Sequence, residues 1–238
     1  MVVIGYGSTQ RKNLTYSVAK VGEKELKDIP ITSFQQGLQG KVAGLQITGQ
    51  SGKPGLAPFV RLRGISSINL AAEPLYVLDG VVVLNLDGLN TEDIASIEVL
   101  KDASAQIYGV NGSNGVILVT TRRGKEGKSK LSFTNNVGFT QVSRKLRVLG
   151  TDDYLKLMND VYGNAGLTVP PAVTNPPLSN TNWQDEIYRS ALFHTNELQF
   201  SGGTGKFNYF LSGGYQRQEG IISPSDFKRY SPPEQPGF

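Results

Sequence analysis

Two textures of hydrophobic and polar positions divide the chain. Up to about residue 124 the apolar positions come in short runs, most of them closed by Gly, Asn or Asp. Beyond Lys130 they alternate with polar positions over longer stretches. The first texture predicts short mixed elements and the second predicts long two-faced strands.

In the first part, Phe34, Leu38, Val42 and Leu45 recur at spacings of three and four behind Ser33, a capping residue type. This predicts a helix over 33–45, ending near Gly44, with Leu45-Gln46-Ile47 turning into a strand. Val60-Arg61-Leu62-Arg63-Gly64 alternates strictly, so Val60 and Leu62 should face a core. Arg61 and Arg63 would then share the other face and require carboxylates or water. Leu75 to Val83 is interrupted by Asp79-Gly80, a strong hairpin signal. Thr91 is the expected cap of a short helix whose first turn holds Glu92 and Asp93. Ile97-Glu98-Val99-Leu100 returns to β character, and Asp102 is the expected cap of a helix from Ala103 to Tyr108, ended by Gly109. Asn111 to Gly115 reads as a turn, and Val116 to Thr121 as a strand buried on both faces. Residues 8–124 therefore read as one α+β unit.

In the second part, Leu131, Phe133, Val137 and Phe139 alternate with Ser132, Thr134, Asn136 and Gly138. Leu198 and Phe200 alternate with Glu197, Gln199 and Ser201, and Phe207, Tyr209, Leu211 and Tyr215 with Asn208, Ser212 and Gln216. Such strands suit the ~9–11 residues that cross an outer membrane at a tilt. Gly202 to Lys206 is a tight turn, whereas about 50 residues separate the first strand from the second. That segment holds an amphipathic helix from Thr151, with Tyr154, Leu155, Leu157, Met158 and Val161 on its apolar side, and a Pro-rich loop from Pro170 to Pro177. Short turns on one side and long loops on the other are the asymmetry of outer-membrane barrels. A soluble β-sandwich has the same alternation, and periodicity alone does not separate the two. Phe227-Lys228-Arg229-Tyr230 leads into another strand, which the prolines of residues 231–238 break.

Composition narrows the chemistry. Gly is abundant at 28 residues and there is no Cys, which removes disulfides, thiolate nucleophiles and Cys-based metal sites. His194 is the single histidine, and no nucleophilic elbow or phosphate loop is present. His194 reads as a polar residue at a strand entry, and Asp152-Asp153 as acids at a helix start. The pattern points away from an enzyme and toward binding or transport, with no cofactor. The net charge is only +4, and the basic run Arg122-Arg123-Gly124-Lys125 reads as a solvated turn. No aromatic platform accompanies it, so nucleic acid is not an expected partner. Met1 to Gly7 is a short β-prone run closed by Gly5-Tyr6-Gly7, and Gln10 at the third glycine position spoils a dinucleotide fingerprint. It can fray, or it can add to another protein's sheet edge. It shows no signal-peptide pattern, so export would require a leader that this sequence lacks.

Four segments together carry a family resemblance. Val2-Val3-Ile4-Gly5-Tyr6-Gly7 resembles the TonB box of SusC/RagA-type TonB-dependent outer-membrane transporters. Leu38 to Ile47 is similar to their first plug helix and strand. Val60 to Asn69 with Glu73 to Gly80 resembles the centre of the plug. The fourth stretch, Asp93 to Ala105, Ile107-Tyr108-Gly109 and Asn114 to Thr121, is the most specific. The resemblance implies a TonB box at 1–7, a plug at 8–124, the first strands and a long extracellular loop of an antiparallel transmembrane β-barrel at 125–230, and an aberrant or truncated tail at 231–238. It implies Gly64, Asp79, Gly80, Glu98, Lys101, Asp102, Tyr108, Gly109, Asn114 and Gly115 as structural residues of the plug, with Arg61 and Arg63 as contacts to the barrel wall.

The complete fold so implied is a plug inside a roughly 22-stranded barrel, of which this chain would supply an incomplete part. The implied partners are TonB with ExbB and ExbD, a SusD-like surface lipoprotein, outer-membrane lipid, and an oligosaccharide or peptide cargo. A siderophore receptor is the alternative within transport. A truncated, non-transporting plug fragment that binds TonB in the periplasm is the alternative outside it.

Overall fold

The computed structural model describes residues 2–4, 7–9, 18–27, 33–64, 73–101, 104–175, 180–205 and 207–232. The first element is a hairpin of β1 (Val2–Ile4) and β2 (Gly7–Thr9). The core of the first part is a five-stranded sheet of β3 (Val18–Gly22), β6 (Leu75–Leu78), β7 (Val81–Val83), β8 (Ile94–Leu100) and β9 (Val116–Thr121). Its order is β3-β8-β9-β6-β7, with β6 and β9 parallel and the other pairs antiparallel.

The apolar run of β9 sits in the middle strand, where Val116, Ile117, Leu118 and Val119 are all buried. That placement is what an unbroken apolar run requires, because both faces of the strand are covered. One face packs with Phe34, Leu38 and Val60, and the other with Leu100, Ala105 and Tyr108. Phe34 and Tyr76 meet edge-to-face at 6.1 Å. A second pair, β4 (Leu45–Thr48) and β5 (Phe59–Leu62), covers one side, and the short helices α1 (Glu23–Lys27) and α2 (Phe34–Leu38) close it.

Several local expectations change. The helix predicted over 33–45 stops at Leu38, because Gly40 (φ 75°) and Gly44 (φ 78°) adopt left-handed backbone that a helix cannot contain. Ser33 occupies the N-cap position but makes no side-chain capping bond. The turn Thr91–Asp93 is 3₁₀ and is capped by Asn90 rather than Thr91, its side chain accepting from the Glu92 N–H at 3.2 Å. Asp102 lies outside the described residues, and 3₁₀ turns over Gln106–Gly112, kinked at Gly109 (φ 67°), replace the expected helix. The strict alternation ends at Leu62. Arg63 has φ 60° and is followed by Gly64 at 93°, so Arg63 does not continue the face of Arg61.

The second part is a four-stranded antiparallel meander of β10 (Gly127–Thr140), β11 (Ala191–Thr204), β12 (Phe207–Glu219) and β13 (Asp226–Ser231). Three of these strands are longer than the alternation predicted, and Asp226–Ser231 adds a fourth. Leu131, Phe133, Val137 and Phe139 project outward and are largely exposed. Glu197, Ser212 and Gln216 project inward and are buried. The connection from β10 to β11 carries α3 (Thr151–Asn164), α4 (Pro171–Thr174) and α5 (Trp183–Ile187). α3 starts where predicted, yet none of its residues is buried. Among the described residues β10 and β13 are the edges of this sheet, and it does not close. Residues 233–238, most of the expected aberrant tail, lie outside the described residues.

Candidate functional site

The first part rests on the inward face of the meander through residues 86–93, the segment between β7 and β8. Leu86 and Leu89 bury their side chains in the core and fix this segment. Asn90, with its carbonyl oxygen used for capping, keeps its amide group for the wall. Its Nδ2 donates to Glu197 Oε2 on β11 at 2.6 Å, and both residues are buried. Glu197 can lie this way because Gly214 stands opposite it on β12. A Cβ at Gly214 would come within 2.5 Å of Glu197 Oε1.

Two residues further along β11, Gln199 donates to the Glu92 carbonyl at 3.2 Å and accepts from Arg122 at 3.1 Å. Arg122 also donates from Nε to the Ile94 carbonyl at 3.4 Å and lies 3.4 Å from the Glu23 carboxylate. On β13, Arg229 donates to the Asp87 carbonyl at 3.1 Å. The chain then passes from one part to the other at Gly124, where a Cβ would lie 2.4 Å from backbone atoms of Tyr209. Glycine is required by that approach. Higher on the wall, a Cβ at Gly55 (φ 77°) would strike the Phe227 ring at 2.3 Å. An open cavity of about 200 Å³ lies beside the Asp87–Arg229 and Gly55–Phe227 contacts, lined in part by Gln35, Lys53, Asp87, Gln218, Glu219 and Arg229.

The other sequence-derived plug residues that the structure describes sit within the first part, away from the wall contacts. Asp79 (φ 48°) and Gly80 (φ 91°) form the expected tight turn, and the Asp79 carboxylate also accepts from the Thr121 N–H at 3.0 Å and from its hydroxyl at 2.5 Å. Glu98 is fully buried at the centre of β8, where Lys20 of the edge strand β3 reaches its Oε1 at 2.6 Å. Lys101 is buried and donates to the Ala43 carbonyl, tying the end of β8 to the Gly44 turn. Gly115 (φ 88°) faces Leu62, where a Cβ would lie 2.3 Å from Cδ2. Tyr108 packs on the second core cluster, and Asn114 is half-buried beside Gly115. Arg61 stacks over the Phe59 ring at 5.9 Å.

Val2, Val3 and Ile4 form β1, and Gly7 begins β2; Gly5 and Tyr6 lie outside the described residues. Arg122 is a junction residue with a mostly buried side chain, not part of a solvated turn. His194 is inside β11 rather than at its entry, and its outward ring contacts Asn135 at 3.0 Å and Tyr215 edge-on. Asn90, Glu197, Gln199 and Arg229 were not singled out from sequence. The usable signal was the polar half of each alternating strand, which marks the face turned to the first part.

Comparison with known proteins places this architecture. Residues 10–116 match the family model of the TonB-dependent Receptor Plug Domain. The chain is 38% identical to TonB-dependent receptor P3 of Formosa agariphila and 36% identical to TonB-dependent receptor SusC of Bacteroides thetaiotaomicron, in each case over 97% of its own length. It spans only 22% and 24% of those two relatives. Among solved structures, the RagAB peptide importer in an open-open state superposes with a TM-score of 0.80 at 29% identity, covering 96% of this chain and 29% of that one. The siderophore receptor PirA of Acinetobacter baumannii shares the fold, with a TM-score of 0.51 at 16% identity. The first part is thus a TonB-dependent receptor plug, and the meander is the start of an incomplete barrel. The chain belongs to the SusC/RagA group of TonB-dependent receptors.

Proposed function

We propose that the chain is the plug and the opening barrel strands of an outer-membrane importer that takes up oligosaccharides or peptides with a SusD-like lipoprotein. In this reading Val2 to Gly7 is the TonB box, 8–124 the plug, and 125–230 the first strands with their long extracellular connection. TonB, driven through ExbB and ExbD, pulls the box and displaces the plug from the wall. No catalytic chemistry is assigned.

The observation that carries the proposal is how the plug is held. Among the described residues, Asn90–Glu197, Glu92–Gln199–Arg122 and Asp87–Arg229 join the plug to the wall by hydrogen bonds, the last of them beside an open cavity. Together such bonds are worth on the order of 5–10 kcal/mol. They can be broken in sequence and replaced by water, whereas an apolar seal could not be re-wetted as readily. Arg61 and Arg63 are proposed to add further contacts to wall carboxylates.

The test is growth of the source bacterium on candidate glycans or peptides as sole carbon source. One strain carries the intact gene and a second lacks residues 2–7. Loss of growth on one such substrate in the second strain, with normal outer-membrane abundance of the protein, is expected. Equal growth of both strains on every substrate that the intact gene supports would overturn the coupling to TonB. Unchanged uptake in the Arg61→Gln/Arg63→Gln variant would remove the arginine role.

A further inference from the structure

The box strand is already paired within its own chain. β1 and β2 align Val2 with Thr9, Val3 with Ser8 and Ile4 with Gly7. With only two residues between Ile4 and Gly7, the closing pair must be a doubly bonded one, since the alternative pattern would need a bond between adjacent residues. The pattern then alternates. Val2 and Ile4 turn their N–H and C=O groups toward β2, and Val3 turns its groups to the open edge.

A partner strand added at the open edge would therefore meet only the groups of Val3 among the described β1 residues. A strand taking the place of β2 would meet those of both Val2 and Ile4. We infer that β2 is an intramolecular cap on the box, and that TonB engages the box by displacing β2. This rests on the assignment of TonB as the partner. A two-stranded hairpin of this size is marginal in water, so the cap opens readily without being absent. Its function would be to set the fraction of receptors whose handle is available, since apparent affinity scales with the competent fraction.

The test uses the full-length receptor in detergent and the periplasmic domain of TonB from the same organism, with affinity measured by titration. Val3 and Ser8 form the closely spaced, non-hydrogen-bonded pair, the geometry suited to a cross-strand disulfide. This chain has no Cys of its own. In a Val3→Cys/Ser8→Cys variant, oxidation should weaken TonB binding by about tenfold or more, and reduction should restore it. Equal affinity in the two redox states would overturn the cap while leaving TonB as the partner. Absence of binding in wild type and in both redox states would instead overturn that partner assignment, and the cap with it. Thr9→Pro lies outside the box and deletes one N–H directed at β1; it should tighten binding roughly two- to tenfold. An unchanged or weaker affinity in this variant would also refute displacement.

Discussion

Replacing Lys20 with Met tests how the edge strand β3 is held to the plug. Lys20 neutralises Glu98, whose side chain is 0% exposed, across a register-matched pair in the β3–β8 ladder. Removing one partner of a buried ion pair typically costs about 3–5 kcal/mol, because the remaining charge is left in a poorly solvated site. Lys20 is itself 34% exposed, so water can enter where its side chain is cut back, and the lower figure applies after screening. A loss of about 2–3 kcal/mol in the local opening of β3 is expected.

Hydrogen exchange measured by mass spectrometry on the purified receptor reads that quantity directly. Amides of Val18 to Gly22 should exchange roughly 30- to 150-fold faster in the variant, with β9 little changed. The double variant Lys20→Met/Glu98→Leu should regain most of the protection, since two apolar groups leave no orphan charge. An acceleration below about threefold, or no recovery in the double variant, would refute the assignment of β3 stability to this pair.

Three further outcomes follow from other contacts. Asn90→Leu leaves Glu197 facing an apolar side chain at the wall, and plug cleavage by an added protease should increase at least severalfold while Asn90→Asp, with two like charges, increases it further. Gly115→Ala places a Cβ 2.3 Å from Leu62 at φ 88°, and the thermal midpoint of the plug should fall by several degrees, corresponding to about 1–3 kcal/mol; no change would show that Leu62 can move aside. Burial first, then the charges of Glu73 and Asp87, hold the Tyr76 phenol well above its usual pKa. The fold retains a proton that the unfolded chain releases above pH about 10, so as pH rises beyond about 10 wild type should lose denaturant resistance more steeply than Tyr76→Phe.

Much of this fold was readable from local chemistry, and the exceptions have physical causes. The Asp79-Gly80 turn, the buried run of β9 and the alternation of β10 to β12 follow from residue type and period, which act within a few positions. Spacing also suggested a helix from Ser33 to Leu45, but period alone does not say that Gly40 and Gly44 take positive φ. The junction was the least legible part. Asn90 and Glu197 are 107 residues apart, and neither has a local pattern that names the other. Arg122 reads as solvated in sequence because the other three residues of the basic run are charged or glycine, although its guanidinium is used by Glu23, Ile94 and Gln199. Polar residues on the hidden face of a strand carry no mark of what they will meet until the fold brings it there.

The strand order β3-β8-β9-β6-β7 also sets a timetable for assembly. β3 cannot find its place until β8 exists, and Lys20 waits for a partner 78 residues later in the chain. β6 and β9 pair in parallel, so the centre of the sheet closes only once residue 119 is available. The barrel strands are a meander of successive neighbours, and such nearby pairings form sooner than distant ones. A chain emerging from its N-terminus therefore carries its edge strand β3 long before β8 is there to hold it. The same topology leaves β3 at an edge of the sheet, where only one neighbour, β8, must let go.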